Sequence, residues 1–147
     1  MAISKTDPRG VPVQRDARSE VQRLFDDLGR ALTSGDGEAV AAIYDVPALI
    51  ISDEGVIAVN TTPQIAKFFS DAHARSNANG VVETRADLQD LERIGERMVI
   101  ATVRWPHLDA DHREVASESS DYTLRRDDEG RLRIRSVLMR GMAAQPR

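Results

Sequence analysis

Residues 97–106 read RMVIATVRWP, residues 114–126 read EVASESSDYTLRR, and residues 131–142 read RLRIRSVLMRGM. In each stretch apolar and polar side chains trade places at period two, the signature of strands with one face turned to a core. Val99, Ala101, Val103 and Trp105 share one parity; Tyr122 and Leu124 share another; Leu132 and Ile134 oppose Arg131, Arg133 and Arg135. Turn residues separate the stretches, at Gly95 and at Asp127 to Gly130, and residues 81–91 carry a further strand-like run upstream. Long strands joined by short turns predict an antiparallel meander occupying the C-terminal half.

Working back toward the N-terminus, the period changes. Val21, Leu24, Phe25, Leu28 and Leu32 recur at three-and-four spacing, which gathers them on one helix face. Ser19 with Gln22 is a candidate cap and Gly35 a candidate stop. Asp36 is placed to cap a short second helix carrying Val40, Ile43 and Tyr44, which Pro47 must end. Residues 48–52 and 56–59 then read as a hairpin about Asp53, Glu54 and Gly55. Thr62 and Pro63 open a third helix with Ile65, Phe68, Phe69 and Ala72 on one face, and Asn77 to Gly80 close it. Helices first and strands last is the α+β pattern, with three N-terminal-half helices packed on a curved antiparallel sheet. The expected organisation is an arm over residues 1–14, one domain over 15–142 and a tail over 143–147.

Composition narrows the function classes. The chain has 147 residues, 41% hydrophobic and 30% charged, enough for one core without staples. With 24 acidic and 20 basic residues the net charge is −4, which offers no general attraction to nucleic acid or anionic lipid. Cysteine is absent, removing thiolate chemistry and fitting a reducing, cytoplasmic setting. The longest apolar run, residues 46–51, is too short to span a bilayer, and the first fifteen residues lack a secretory core.

The order of elements, the Ser34-Gly35-Asp36 break, Ile43-Tyr44-Asp45 before the first strand, and the closing segment from Asp128 to Ile134 resemble the nuclear transport factor 2-like superfamily over about residues 16–142. The resemblance implies a sheet wrapped around three helices as a cone with a pocket inside, and a homodimer joined through the outer sheet face. Ketosteroid isomerase, scytalone dehydratase, limonene epoxide hydrolase and polyketide cyclases share that frame. The isomerase needs a carboxylate base and two oxyanion donors, a tyrosine and a protonated aspartate. Carried across, the first donor position holds Leu28, the base falls near Asp53, and the second donor falls on Tyr122 or, by a one-residue slip, on Asp121. Parity with Leu124 favours Tyr122 as the inward residue. The isomerase constellation is therefore incomplete.

Several side chains stand as candidates beside those positions. His107, beyond Trp105, is a candidate general base because imidazole titrates near neutrality. His107, Asp109, Asp111 and His112 crowd one loop, but their spacing matches no recognised ligand set, so no metal and no cofactor are expected. His73 follows Phe69 by one turn and reaches toward the interior, or pairs at the helix end. Arg131, Arg133 and Arg135 read as an outer stripe paired with acids such as Glu118 or Asp87. Arg140 shares parity with Ile134 and Leu138, which turns it inward on a regular strand. Leu28, Tyr44, Phe69, Trp105, Tyr122 and Arg140 are the expected ligand-binding set, and Asp53, His107 and Tyr122 the expected catalytic set. Two classes of function follow: binding of a small hydrophobic molecule, or acid/base chemistry on one.

Overall fold

The computed structural model describes residues 13–144, with side chains from residue 17 to residue 143. Three helices, α1 (Val13–Ser34), α2 (Gly37–Ala41) and α3 (Thr62–Ala78), pack on a seven-stranded sheet. Its strands are β1 (Tyr44–Ser52), β2 (Gly55–Val59), β3 (Glu83–Thr84), β4 (Asp87–Arg93), β5 (Met98–Leu108), β6 (Glu114–Arg126) and β7 (Leu132–Ala144). The spatial order is β2-β1-β7-β6-β5-β3, with β4 paired to β5 as well, and the sheet does not close.

Four boundaries depart from the sequence expectation. Helix α1 begins at Val13, so Ser19 lies inside it instead of capping it, and residues 13–14 of the expected arm are helical. Strand β7 runs on through residues 143 and 144 of the expected tail; the rest of that arm and residues 145–147 lie outside the described residues. Helix α2 stops at Ala41 and Tyr44 already belongs to β1, so Ile43 and Tyr44 leave the helix face on which their spacing had put them. The run 81–91 divides into β3 and β4, which pair with different parts of β5. One pair is parallel, β1 with β7, so the sheet is mixed and not wholly antiparallel.

Helix α1 ends as glycine chemistry dictates. Gly35 takes φ of 72°, its N–H reaches the Leu32 carbonyl at 3.3 Å, and the Asp36 N–H reaches the Ala31 carbonyl at 3.1 Å. A left-handed residue here closes two orphan carbonyls. Asp36 then turns its carboxylate onto the Ala39 N–H and starts α2. Helix α3 opens with a reciprocal capping box, Thr61 on the Gln64 N–H and Gln64 on the Thr61 N–H.

The inner face of α1 is dry: Val21, Phe25 and Leu28 are buried against Val99, Ala101, Val103, Leu124 and Ile134 of the sheet. Phe25 meets Tyr122 at 4.8 Å and Trp105 at 6.4 Å between ring centroids, closing the deep end of the cone. Helix α3 sits farther off. Ile65 is buried, whereas Phe68, Phe69 and Ala72 are only partly so, because beyond Ile65 the helix faces an open space instead of the sheet.

Bulges set which residues reach that space. Along β7 the partner of β6 jumps from Ile134 to Ser136 and again from Met139 to Gly141. An extra residue at Arg135 and another at Arg140 each reverse the parity that follows. Val137 and Met139 thereby face inward, and Leu138 is exposed.

Candidate functional site

The space between α1, α3 and the sheet is a cavity of about 200 Å³. Leu32 and Thr33 of α1, Phe69, Ala72, His73, Ser76 and Asn77 of α3, and residues 81–84 form its helix side and rim. Its sheet wall is Tyr44 of β1, Trp105 and His107 of β5, Glu118, Ser120 and Tyr122 of β6, and Val137 and Met139 of β7. Most of the cavity surface is apolar; polar groups stand on the helix side and rim and, on the sheet, chiefly on β5 and β6.

There they form a chain. The Trp105 Nε1–H donates to the Tyr122 hydroxyl at 2.9 Å. Indole nitrogen is only a donor, so the phenolic hydrogen is free to pass onward. Ser120, the next inward residue of β6, bonds the Tyr122 hydroxyl and donates its own hydrogen to one oxygen of Glu118. Hydrogen bonds in series polarise one another, and a fully matched buried network is rigid. At its end stands a carboxylate with a second oxygen that no described protein group engages.

Burial holds the Glu118 carboxyl above its usual range, against the Ser120 hydroxyl, which favours the ionised form. Burial, and then the nearby Glu118 charge, pushes the Tyr44 hydroxyl up. The Tyr122 hydroxyl is raised by burial too, with Tyr44 and Glu118 adding to it. His107 moves the other way: burial lowers its imidazole, opposed by Glu114. Trp105 stands across from Glu118 and His107 across from Ala116, so His107 and Glu118 are diagonal neighbours on the inner face.

Tyr44 carries the second notable polar group. Its residue is 4% exposed, its ring leans on Phe69 with centroids 5.5 Å apart, and its hydroxyl meets no hydrogen-bonding partner among the described residues. The hydroxyl opens on the cavity, with a hydrogen free to donate into it.

Tyr44, Phe69, Trp105, His107 and Tyr122 of the expected set therefore line one cavity. The others do not. Leu28 is 1% exposed in the dry core beneath it. Asp53 is exposed in the β1–β2 turn, where Ser52 faces Gly55, and is absent from the wall. Arg140 points outward because it is a bulge residue, and its guanidinium grips Asp121 at 2.7 and 3.0 Å. His73 faces the rim with both ring nitrogens engaged, Nδ1 on the Leu32 carbonyl and Nε2 with the Asn77 amide, each at 3.1 Å. It pins α3 to α1, and a Cβ at Gly35 would strike its ring at 2.5 Å.

The arginine stripe is also paired otherwise than expected. Arg131 meets Asp127 and Glu129, Arg133 meets Asp127, and Arg135 meets Asp45. Glu118 is not on that face at all; it is the residue that sequence reasoning missed. In the polar loop Asp109 accepts from the Asp111 and Arg113 N–H groups and His112 pairs with Glu83. Among the described residues no three His, Cys, Asp or Glu side chains converge as a metal site.

A family model described as "NTF2-like protein (DUF6841)" matches residues 19–141. The chain belongs to this NTF2-like family. Solved structures agree on its fold. A domain of unknown function with a cystatin-like fold from Nostoc punctiforme superposes with a TM-score of 0.68 at 19% identity, covering 84% of this chain and 75% of that one. An NTF2-like protein of unknown function from Shewanella oneidensis gives 0.66 at 13% identity, covering 85% and 99%. Aln2 from a Streptomyces species gives 0.68 at 18% identity, covering 85% and 90%. No curated protein matches the chain at a significant level. Such identities establish the NTF2-like frame, and function is argued from the cavity itself. No described helix is long and apolar enough to cross a membrane.

Proposed function

We propose that this NTF2-like chain binds a small, mainly apolar organic molecule inside the cone. The observation that carries the reading is the cavity of about 200 Å³, with a mainly apolar surface walled by Leu32, Phe69, Trp105, Val137 and Met139. An apolar cavity of about 150 Å³ accepts benzene, so this one suits a six-membered ring with a short substituent. Trp105 is both wall and reporter, since it is the chain's single tryptophan. Titration with single-ring compounds, exciting only the indole, is expected to change Trp105 emission saturably, and Trp105→Phe to abolish the change. Unchanged emission across such a set, together with soaked crystals showing only solvent in the cavity, would sink the reading.

A second reading is favoured by one specific observation: His107 and Glu118 share the wall and are displaced in opposite directions from their ordinary values. Burial brings their titrations toward one another and favours the neutral form of each, a protonated carboxyl and a free imidazole, which are the acid and base forms that proton transfer uses. On this reading Glu118 or His107 moves the proton of a bound hydrophobic substrate and Tyr44 or Tyr122 supports the developing charge, with Asp53 outside the chemistry. A turnover that survives both Glu118→Gln and His107→Gln would remove it.

The homodimer belongs among the proposals as well. On the outer face Leu49, Ser136, Thr123 and Ile100 form one cross-strand row, and Ile51, Leu138, Asp121 and Thr102 the next. Leu49, Ile100 and Leu138 are exposed there beside the Asp121–Arg140 pair, a mixed surface that two-fold symmetry can match to itself. Sedimentation should give twice the chain mass, reduced to the chain mass by Leu138→Glu; monomer at all concentrations would refute it.

A further inference from the structure

We infer that the cavity recognises a hydroxyl group: its ligand is an alcohol or phenol on a small apolar skeleton, which donates its O–H to Glu118 and accepts the O–H of Tyr44. The inference rests on the cavity-binding reading above and adds the class of ligand.

Two unmatched groups carry it. The Tyr44 hydroxyl hydrogen-bonds none of the described residues and opens on the cavity, so it has a proton to give. Glu118 has one oxygen occupied by Ser120 and the other open on the same cavity. The two lie near enough that the Glu118 charge acts on the Tyr44 phenol. On its sheet side the cavity therefore presents a donor at Tyr44 and an acceptor at Glu118, beside the His107 imidazole.

Ligand chemistries divide by how they meet that pair. A hydrocarbon leaves both groups desolvated and unpaired, which is the costly outcome for buried polar atoms. A carbonyl or ether accepts from Tyr44 and leaves Glu118 unmatched. An ammonium group brings donors alone and must itself be stripped of water. Of these classes a hydroxyl alone carries a donor and an acceptor on one atom and answers both. Tyr122 is not available for this task, because Trp105 and Ser120 already occupy its hydroxyl.

The test uses four probes of nearly equal size on the intact protein: 4-ethylphenol, 4-ethyltoluene, 4-ethylanisole and 4-ethylbenzylamine, each titrated calorimetrically. The phenol is expected to bind at least about tenfold more tightly than the hydrocarbon, the ether and the amine, since sites built for a hydroxyl discriminate strongly against analogues lacking it. Tyr44→Phe and Glu118→Met should each erase most of that preference while hydrocarbon binding persists. Phenol and hydrocarbon binding within threefold in the unaltered protein, or the ether or amine matching the phenol, would overturn the hydroxyl inference and leave cavity binding standing. Binding by none of the four at millimolar concentration would instead overturn cavity binding itself, and this inference with it. The ranking in the unaltered protein decides the matter even where a variant fails to fold.

Discussion

Replacing Tyr122 by Phe deletes one oxygen from the site and tests the hydrogen-bonded chain directly. That oxygen is 2.9 Å from the Trp105 Nε1–H, and Trp105 and Tyr122 are only 3% and 5% exposed. The indole N–H has no other acceptor among the described residues, so the substitution strands a buried donor. Leaving such a group unpaired costs about 1–3 kcal/mol, more than the net worth of an ordinary hydrogen bond. Ser120 keeps its bond to Glu118 but loses its own donor, so a value near the middle, about 2 kcal/mol, is expected. For a chain of this size each kcal/mol moves the melting temperature by about 4 °C, giving a drop of about 8 °C. Tyr44→Phe is the internal control: its hydroxyl has no described protein partner, so deleting it should change stability by less than about 0.5 kcal/mol. Urea unfolding followed by circular dichroism measures both, with Trp105 emission confirming that the native fold is retained. Equal losses for the two tyrosines, or a Tyr122→Phe loss below about 0.5 kcal/mol, would refute the chain.

The protonation of Glu118 and the seating of α3 give two further expectations. Burial raises the folded-state pKa of Glu118 above its ordinary value of 4.5, so its contribution is fully favourable only below that value and is lost as pH rises through the folded-state pKa. Glu118→Gln should therefore match the parent in urea midpoint near pH 4 and exceed it at pH 8, by about 1.4 kcal/mol for each unit of displacement; a parent that gains on the variant as pH rises contradicts this. At Gly37 a Cβ would lie 2.4 Å from the Ala66 carbonyl oxygen and 2.5 Å from Ser70 Oγ, so alanine must push α2 away from α3. Overpacking of about 1–3 kcal/mol outweighs the helix-propensity gain of at most about 1 kcal/mol. Gly37→Ala should lower the melting temperature by several degrees and weaken cavity ligands, whereas Gly95→Ala, with only Met98 nearby at 3.8 Å, should do neither.

The periodicity of the chain determined a good deal. Three-and-four spacing marked α1 and α3, period-two alternation marked β5, β6 and β7, and Thr62, Pro63 and Gly35 marked helix ends, because each signal lies within a few residues of what it controls. Parity on β6 and β5 put Tyr122 and Trp105 inside, where they are. The same parity also places Ser120 and Glu118 inside, since both are an even number of residues from Tyr122; treating an acid as a surface partner for the arginine stripe hid a signal that was present. Tertiary structure alone decided the rest. Arg140 faces outward because bulges at Arg135 and Arg140 reverse the parity of β7, and a bulge is fixed by pairing with β6 rather than by the local residue pattern. Phe69, Ala72, His73, Ser76 and Asn77 of α3 border a cavity of about 200 Å³ instead of a filled core. That space is set by the packing of elements distant in the chain, and no short stretch of sequence encodes it.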